Sequence, residues 1–297
     1  MAKLAEQLER KAFSAAIDVA LRRINKDREK GLLEIVDLTE KFMGDNFTKE
    51  AYEGARAMIK NPDHKWMRYV NRLLDETDPH VAKMTALNLG YQAAFYGTKT
   101  IRKMREVHDC NIPWLILMDP TSACNLHCTG CWAAEYGHKL NLTFEELDSI
   151  VTQGKELGIY FYMMTGGEPL VRKADVIKLC EKHNDVAFHC YTNGTLIDQA
   201  FCDEMKRVGN LSLSISLEGF EDTNDFRRGD GVYAKVLHAM DLLHENGLLF
   251  GNSVCYTRKN MDAVTSDEFF DLLIEHGSRF AWYFHPVSYT HLTLPTI

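Results

Sequence analysis

The sequence predicts an α/β protein, in which an all-α N-terminal domain precedes a partial, TIM-like (β/α)6 barrel. Two observations support this fold class. Residues 1 to about 110 carry apolar side chains at three- and four-residue spacing, the pattern of amphipathic helices. After Pro113, short apolar runs alternate with amphipathic segments, which indicates right-handed βαβ units and a parallel sheet, closed or partly closed.

The N-terminal helices are indicated by their apolar stripes and by the residues that begin them. Pro62 and Pro79 are each expected to open a helix, because proline is favoured in the first helical turn. The helix after Pro79 is expected to run to about His108. The first stripe consists of Leu4, Leu8, Ala12, Ala15 and Val19. We expect residues 1–110 to form a helical packing domain.

The predicted barrel occupies residues 111–286 and contains six strands. Thr143 and Glu146 have the spacing of a capping box at the start of its first helix. Chemistry in such barrels lies at the C-terminal ends of the strands, so polar residues there are candidate site residues. The predicted strands are 114–118, 159–164, 186–191, 211–217, 249–256 and 280–284. The predicted helices lie near 143–157, 173–183, 198–208, 233–246 and 266–276.

The composition limits the function classes. With 45% apolar and 26% charged residues in 297, the chain has the composition of a globular protein. The net charge of −8 and the lack of a Lys/Arg block speak against binding to nucleic acid. No apolar run approaches membrane-spanning length, and the charged N-terminus does not resemble a secretory signal. We therefore expect a cytoplasmic protein that binds neither nucleic acid nor membrane.

The last eleven residues, 287–297, break the strand–helix pattern where a sixth helix should begin. Their sequence resembles the translation of a transposase sequencing adapter. We expect this tail to be non-native and exclude it from reasoning about the fold.

The loop after the first predicted strand carries three cysteines within eight residues, in the sequence CNLHCTGC. These are Cys124, Cys128 and Cys131. An electron-carrying iron–sulfur cluster would need a fourth cysteine, and none follows nearby. A Cys3His zinc site could be completed by His127 or His138, although only one CxxC pair is present. A catalytic cluster with three protein ligands and one open iron is the third interpretation, and the position at a barrel mouth favours it.

The spacing CxxxCxxC after the first barrel strand resembles the signature of the radical S-adenosylmethionine (radical SAM) superfamily. The resemblance implies an oxygen-sensitive enzyme whose three cysteines hold a [4Fe–4S] cluster. The fourth iron would bind the amino and carboxylate groups of SAM. Reductive cleavage of SAM would then give a 5′-deoxyadenosyl radical, which abstracts hydrogen from a substrate.

Further motifs strengthen the resemblance. Gly166, Gly167 and Glu168 follow the second strand, where the superfamily places its GGE motif. Glycines would let backbone carbonyls approach the SAM ammonium, and Glu168 could supply a negative charge. A tight βα turn would also favour these residue types.

The resemblance places four more groups of residues near SAM. Asn193 follows the third strand, although Asn-Gly also marks ordinary turns. Ser214 and Ser216 share one face of the fourth strand, and Glu218 stands where relatives often have Asp. Arg227, with its neighbour Arg228, resembles the arginine that meets the SAM carboxylate; a surface ion pair is the alternative.

The sequence departs from the family pattern just before its third cysteine. Many members carry an aromatic residue there, close to the adenine of SAM, whereas this chain has Gly130. Trp132 and Tyr136 are the nearby aromatic candidates. Cys190 and Cys255 lie in predicted strands and are expected to pack as small apolar groups.

Only the resemblance to the superfamily gives an expectation for the substrate. The chain looks most like members with SPASM-type C-terminal extensions, which often modify peptides or proteins, so a peptide or protein is the expected substrate class. The expected electron donor is a flavodoxin- or ferredoxin-type protein. The alternative function is a non-catalytic Cys3His zinc-binding module.

Overall fold

The computed structural model of the chain describes residues 2–44, 47–131, 133, 137 and 139–285. It confirms the predicted fold class. Six strands form one parallel sheet in the order in which they occur in the chain. The strands are β1 (Ile116–Met118), β2 (Phe161–Met164), β3 (Ala187–Thr192), β4 (Leu211–Ser216), β5 (Phe250–Cys255) and β6 (Ala281–Phe284).

The sheet curves into a half-barrel with a helical outer side. Side chains of β3 and β6 meet across the concave face, where the Tyr191 and Phe284 rings lie 5.9 Å apart. On the convex face, Leu213, Ile215 and Val254 are fully buried in the main hydrophobic core. The two-residue periodicity of strands therefore separates an apolar core from a partly polar inner surface.

The barrel helices agree with the sequence prediction in position. They are α7 (Phe144–Glu156), α8 (Lys173–Lys182), α9 (Gln199–Val208), α10 (Glu221–Arg228), α11 (Val232–Glu245), α12 (Met261–Val264) and α13 (Asp267–Glu275). The predicted capping box between Thr143 and Glu146 is present at the start of α7. The helices α10 and α12 were not predicted, and a 3₁₀ turn at Pro169–Arg172 follows β2.

The N-terminal region is helical, as expected. Its helices are α1 (Ala2–Ile24), α2 (Arg28–Met43), α3 (Lys49–Ile59), α4 (Lys65–Glu76), α5 (Pro79–Thr85) and α6 (Thr98–His108). The helix predicted from Pro79 to His108 is continuous, but its middle, Ala86–Gly97, is wound as a π-helix. The expected start at Pro62 was wrong by three residues, because α4 begins at Lys65 with His64 as its cap.

The π-helical segment packs against the end of the barrel opposite the strand C-termini. The Asn88 amide donates to the carbonyl oxygens of Asn184 and Val186, just before β3. A Cβ on Gly97 would lie 2.5 Å from the Gly158 carbonyl oxygen, so the two backbones approach as closely as only glycine permits. The helical region thus covers one end of the barrel and leaves the other for chemistry.

None of the described helices combines the length and the apolar character needed to cross a membrane. The predicted tail, 287–297, lies outside the described residues.

Candidate active site

The cysteine loop connects β1 with α7 at the C-terminal edge of the sheet. Cys124, Cys128 and Cys131 are all free thiols of intermediate exposure. The amide of Cys131 donates to the Cys128 carbonyl (3.2 Å), and the amide of Leu126 donates to Cys124 Sγ (3.4 Å). The loop therefore turns tightly between Cys128 and Cys131 and places one backbone donor against the Cys124 sulfur.

The thiols lie near one another without converging on a single point. Burial raises the pKa of both Cys124 and Cys128, and the charges of the other cysteines raise it further. Among the described residues, no three His, Cys, Asp or Glu side chains are placed to hold one metal ion. A structural zinc would need all its ligands within about 2.3 Å of one ion. His138, a candidate fourth zinc ligand, lies outside the described residues, as do Trp132 and Tyr136.

Backbone hydrogen bonds hold the turn after β2 against the cysteine loop. Gly167 donates to the Thr121 carbonyl (2.9 Å), and Glu168 donates to the Ala123 carbonyl (2.7 Å). Gly166 has a φ of +108°, and a Cβ there would lie 2.5 Å from Thr121 O. A Cβ on Gly167 would collide with Ala123 O. Both glycines are therefore needed for close contact with the cysteine loop.

Glu168 lies inside the protein and is 1% exposed. Its carboxylate accepts hydrogen bonds from the Leu170 amide (2.9 Å), the Thr192 hydroxyl (2.8 Å) and the Asn193 amide (2.7 Å). Burial raises the pKa of this carboxyl, and the three hydrogen bonds oppose the rise. The observed contacts of Glu168 thus join the turn after β2 to the end of β3.

Asn193 joins the end of β3 to the cysteine loop. Its Nδ2 donates to Asn125 Oδ1 (2.8 Å) and lies 4.0 Å from Cys124 Sγ. Asn125 Nδ2 in turn donates to the Thr195 hydroxyl (2.8 Å). Sequence reasoning identified Asn193 but missed Asn125 and Thr195, which are ordinary loop residues without a distinctive pattern.

A buried ion pair lies at the end of β4. Arg228 Nη2 donates to Glu218 Oε1 (2.6 Å), and Arg228 Nε donates to the other carboxylate oxygen. Arg228 Nη1 lies 3.9 Å from Cys128 Sγ. Burial lowers the pKa of the Arg228 guanidinium, but the Glu218 carboxylate outweighs burial and raises it. Arg228 thus contacts a cysteine, whereas the arginine predicted to meet the SAM carboxylate is its neighbour Arg227.

Arg227 has a different environment from its neighbour. Its Nε is buried, has no hydrogen-bond partner and lies 3.9 Å from Glu218 Oε1. Its carbonyl oxygen accepts a hydrogen bond from the Thr129 amide (2.8 Å), inside the cysteine loop. A buried N–H without a partner is costly, so this group suits an anionic ligand.

The inner face of β4 supports a histidine of β3. His189 Nδ1 lies 2.8 Å from Ser212 Oγ, and His189 Nε2 lies 2.8 Å from Ser214 Oγ. Burial lowers the pKa of His189 to about 4, so the ring is neutral near pH 7. Ser214 has no exposed surface, and in this arrangement its hydroxyl contacts His189 rather than the open site. Ser216, two residues further towards the mouth, is partly exposed.

Two further residues at the mouth were missed from the sequence. Asp119 directly follows β1 and has its Cβ 3.1 Å from the position a Cβ would take on Gly166. Desolvation raises the pKa of its carboxyl, although the side chain is largely exposed. Cys255 ends β5 and is half-buried, not fully buried as expected. The strand-end position of both residues was the available signal.

The fold and the site together define an α/β half-barrel with a cysteine-rich loop after its first strand. A family model described as the Radical SAM superfamily matches residues 118–277, more than half of the chain. The chain therefore belongs to the radical SAM superfamily, whose members are enzymes. Membership implies SAM and an iron–sulfur cluster as cofactors.

Proteins similar to this chain match between about half and four fifths of its length. An AdoMet-dependent heme synthase of Methanosarcina barkeri is 27% identical over 57% of this chain and 49% of its own length. The structure of Streptococcus suis SuiB bound to S-adenosylmethionine has a TM-score of 0.56 at 19% identity, over 81% of this chain and 54% of SuiB. The structure of anSMEcpe with bound AdoMet and Cp18Cys peptide has a TM-score of 0.50 at 21% identity, over 59% and 51%. The chain spans about half the length of these proteins.

Proposed function

We propose that Cys124, Cys128 and Cys131 hold a [4Fe–4S] cluster with one open iron, at which SAM is reductively cleaved. The observation that carries this proposal is the placement of three thiols on a braced loop at the barrel mouth, with Asn193 and Arg228 directed at two of their sulfurs. A four-iron cluster gives each thiolate its own iron, so its ligands need not meet at one point. When bound, such a cluster would supply one electron that breaks the C5′–S bond of SAM, releasing methionine and a 5′-deoxyadenosyl radical that can take a hydrogen atom from the substrate.

The surrounding side chains suit an anionic cluster. Asn193 Nδ2 lies 4.0 Å from Cys124 Sγ, and Arg228 Nη1 lies 3.9 Å from Cys128 Sγ. Hydrogen bonds to ligand sulfurs stabilise their charged form and tune the cluster. Asn193 follows β3 and Arg228 belongs to α10, so the two donors come from two different parts of the barrel.

The contacts proposed for SAM fall into two groups. We propose that four residues contact SAM directly. Three of them have exposed surface, namely Gly166, Gly167 and Ser216. The fourth is Arg227, whose Nε has no hydrogen-bond partner. The Arg227 guanidinium would meet the SAM carboxylate. A second group of residues is buried, and we propose that it positions the residues that contact SAM, through the hydrogen bonds described above. This group consists of Glu168, Asn193, Ser214 and Glu218.

The inner face of the half-barrel is suited to a substrate with apolar groups. Leu117, Trp282 and Phe284 lie on this face and are 56%, 45% and 42% exposed. Structures of similar fold carry bound peptides, which supports a peptide or protein as the substrate class. A flavodoxin- or ferredoxin-type protein is the proposed electron donor.

The cluster is tested by anaerobic reconstitution followed by analysis of iron, sulfide and zinc. We expect about four irons and four sulfides per chain, together with 5′-deoxyadenosine when SAM and dithionite are added. Replacing Cys124 by Ala is expected to abolish both the cluster and SAM cleavage. The matched control is Cys110→Ala, which removes an exposed thiol outside the loop and should change neither.

The zinc-binding alternative makes the opposite prediction. One zinc per chain, with no cleavage of SAM, would favour a structural Cys3His module over the proposed enzyme. Unchanged iron content in the Cys124 variant would also contradict the proposed ligand set.

A further inference from the structure

The Arg228 side chain joins a proposed cluster ligand to a buried carboxylate. Its Nε and Nη2 form two bonds to Glu218, and its Nη1 lies 3.9 Å from Cys128 Sγ. The Arg228 side chain is 11% exposed and that of Glu218 is 1% exposed. A guanidinium that forms two parallel hydrogen bonds to one carboxylate has a fixed orientation, because rotation of the planar group would break at least one of them.

Glu218 is itself anchored from two sides. Its backbone amide donates to the side chain of Asn224 in α10 (3.2 Å), and its carbonyl accepts from Asn260 Nδ2 (3.1 Å). Both asparagines are buried. The backbone of Glu218, two residues after β4, is therefore held by two buried side chains.

The backbone also fixes the distance between α10 and the cysteine loop. The Thr129 amide, next to Cys128, donates to the carbonyl oxygen of Arg227 (2.8 Å). Because Arg228 is the next residue, its Cα cannot move away from the loop unless this bond breaks. The approach of the guanidinium to the Cys128 sulfur is thus imposed by both a side-chain clamp and a backbone bond.

We propose that Arg228 is a positioning residue that holds a fixed positive charge against the Cys128 ligand and raises the reduction potential of the cluster. This inference rests on the proposed function. A reduced cluster carries one more negative charge than an oxidised one, so a nearby cation favours the reduced form. The Nη1 group is the part of the ion pair that approaches the sulfur, and Glu218 holds the far side of the guanidinium. Glu218 therefore sets the orientation of Arg228 and partly offsets its charge.

The test uses variants with opposite expected effects on the midpoint potential of the reconstituted cluster, measured by EPR-monitored redox titration without SAM. Arg228→Gln removes the cation and should shift the potential to more negative values. Glu218→Gln removes the opposing charge but keeps an oxygen that can accept from Arg228 and hold its orientation, so it should shift the potential to more positive values. Arg228→Lys keeps the charge but cannot form the two parallel bonds to Glu218. Its midpoint potential should therefore lie between those of Arg228→Gln and the wild type.

A matched control removes a distant charge of the same sign. Arg207 lies on the surface and pairs with Glu181 and Glu204, so Arg207→Gln should leave the potential unchanged. A purely structural role would move the potential of the Arg228→Gln and Glu218→Gln variants in the same direction or not at all, and either result would overturn the inference. If Arg228→Gln does not fold, the inference is judged from the other two variants. A positive shift in Glu218→Gln with a small negative shift in Arg228→Lys supports it, and shifts in the same direction overturn it. If the wild-type chain binds no four-iron cluster, the proposed function fails instead.

Discussion

Single residues in this site have roles that their type alone does not reveal. Glu168 was expected to offer its charge to SAM, and its carboxylate also accepts three hydrogen bonds from the protein. Arg228 contacts a cysteine, while its neighbour Arg227 has an unpaired donor. A sequence gives the residue types at the strand ends, but the direction of each side chain depends on the phase of a short helix.

Cys255 tests whether the cluster has three protein ligands or four. It is the last residue of β5 and is half-buried at the edge of the sheet that carries the cysteine loop, so a fourth sulfur lies at the same end of the barrel. If one iron is open, Cys255→Ala should retain four irons per chain. It should also retain the change in the EPR signal on addition of SAM.

The result is compared with Cys131→Ala, which should lose the cluster. A loss of iron in Cys255→Ala, with no response of the wild-type signal to SAM, would instead indicate an electron carrier with four cysteine ligands.

At the scale of elements, the turn after β2 and the cysteine loop form one unit. Gly167→Ala would push a methyl group into the carbonyl of Ala123 and displace the loop. We expect it to destabilise the apoprotein by about 1–3 kcal/mol, as overpacking does, and to lower the iron content. Urea unfolding and iron analysis measure the two effects.

Gly54→Ala is the control for this prediction. Gly54 lies within α3 with nothing within 4 Å of the added Cβ. Alanine in an exposed helix should stabilise the protein by up to about 1 kcal/mol. Equal behaviour of the two variants would show that the contact between turn and loop is unimportant.

The elements that could be predicted from sequence are those with a regular apolar pattern. All six strands were identified because each is a short apolar run, and a glycine follows the helix that precedes β2, β4, β5 and β6. Helix α10 was missed because its sequence, EDTNDFRR, has almost no apolar stripe. The π-helical winding of Ala86–Gly97 was also missed, since its composition suits an α-helix equally well. The three cysteines could be singled out by their spacing, whereas the hydrogen bonds that hold their loop depend on contacts between residues far apart in the sequence.

At the scale of the whole molecule, Glu76 connects the N-terminal helices to the last part of the barrel. Its carboxylate is bonded to Arg72 and Arg279 and lies 2.9 Å from His244 Nε2. Arg279 lies just before β6, and its side chain is only 5% exposed. Loss of Glu76 would therefore leave a buried positive charge without its main partner.

Glu76→Gln is expected to lower the free energy of unfolding by about 1.5–3 kcal/mol, the range for hydrogen bonds to charged groups. The control is Glu275→Gln, an exposed carboxylate on α13. Chemical denaturation at pH 7 measures both variants. A loss no larger than that of the control would show that this junction does not hold the two regions together.

The same residue predicts a pH dependence. Burial alone would raise the pKa of Glu76, but its bonds to Arg279 and Arg72 lower it to about 2. A lowered pKa in the folded state stabilises the protein above the unfolded value near 4.5, and this contribution is lost as the pH falls towards 2. The difference in stability between wild type and Glu76→Gln should therefore shrink between pH 5 and 2.

The bonds from Gly167 and Glu168 to the cysteine loop also bear on which substitutions the loop tolerates. Both bonds are accepted by backbone carbonyl oxygens, so a change of side chain at Ala123 would leave its bond from Glu168 in place. Variation of this side chain is therefore compatible with an unchanged shape of the loop.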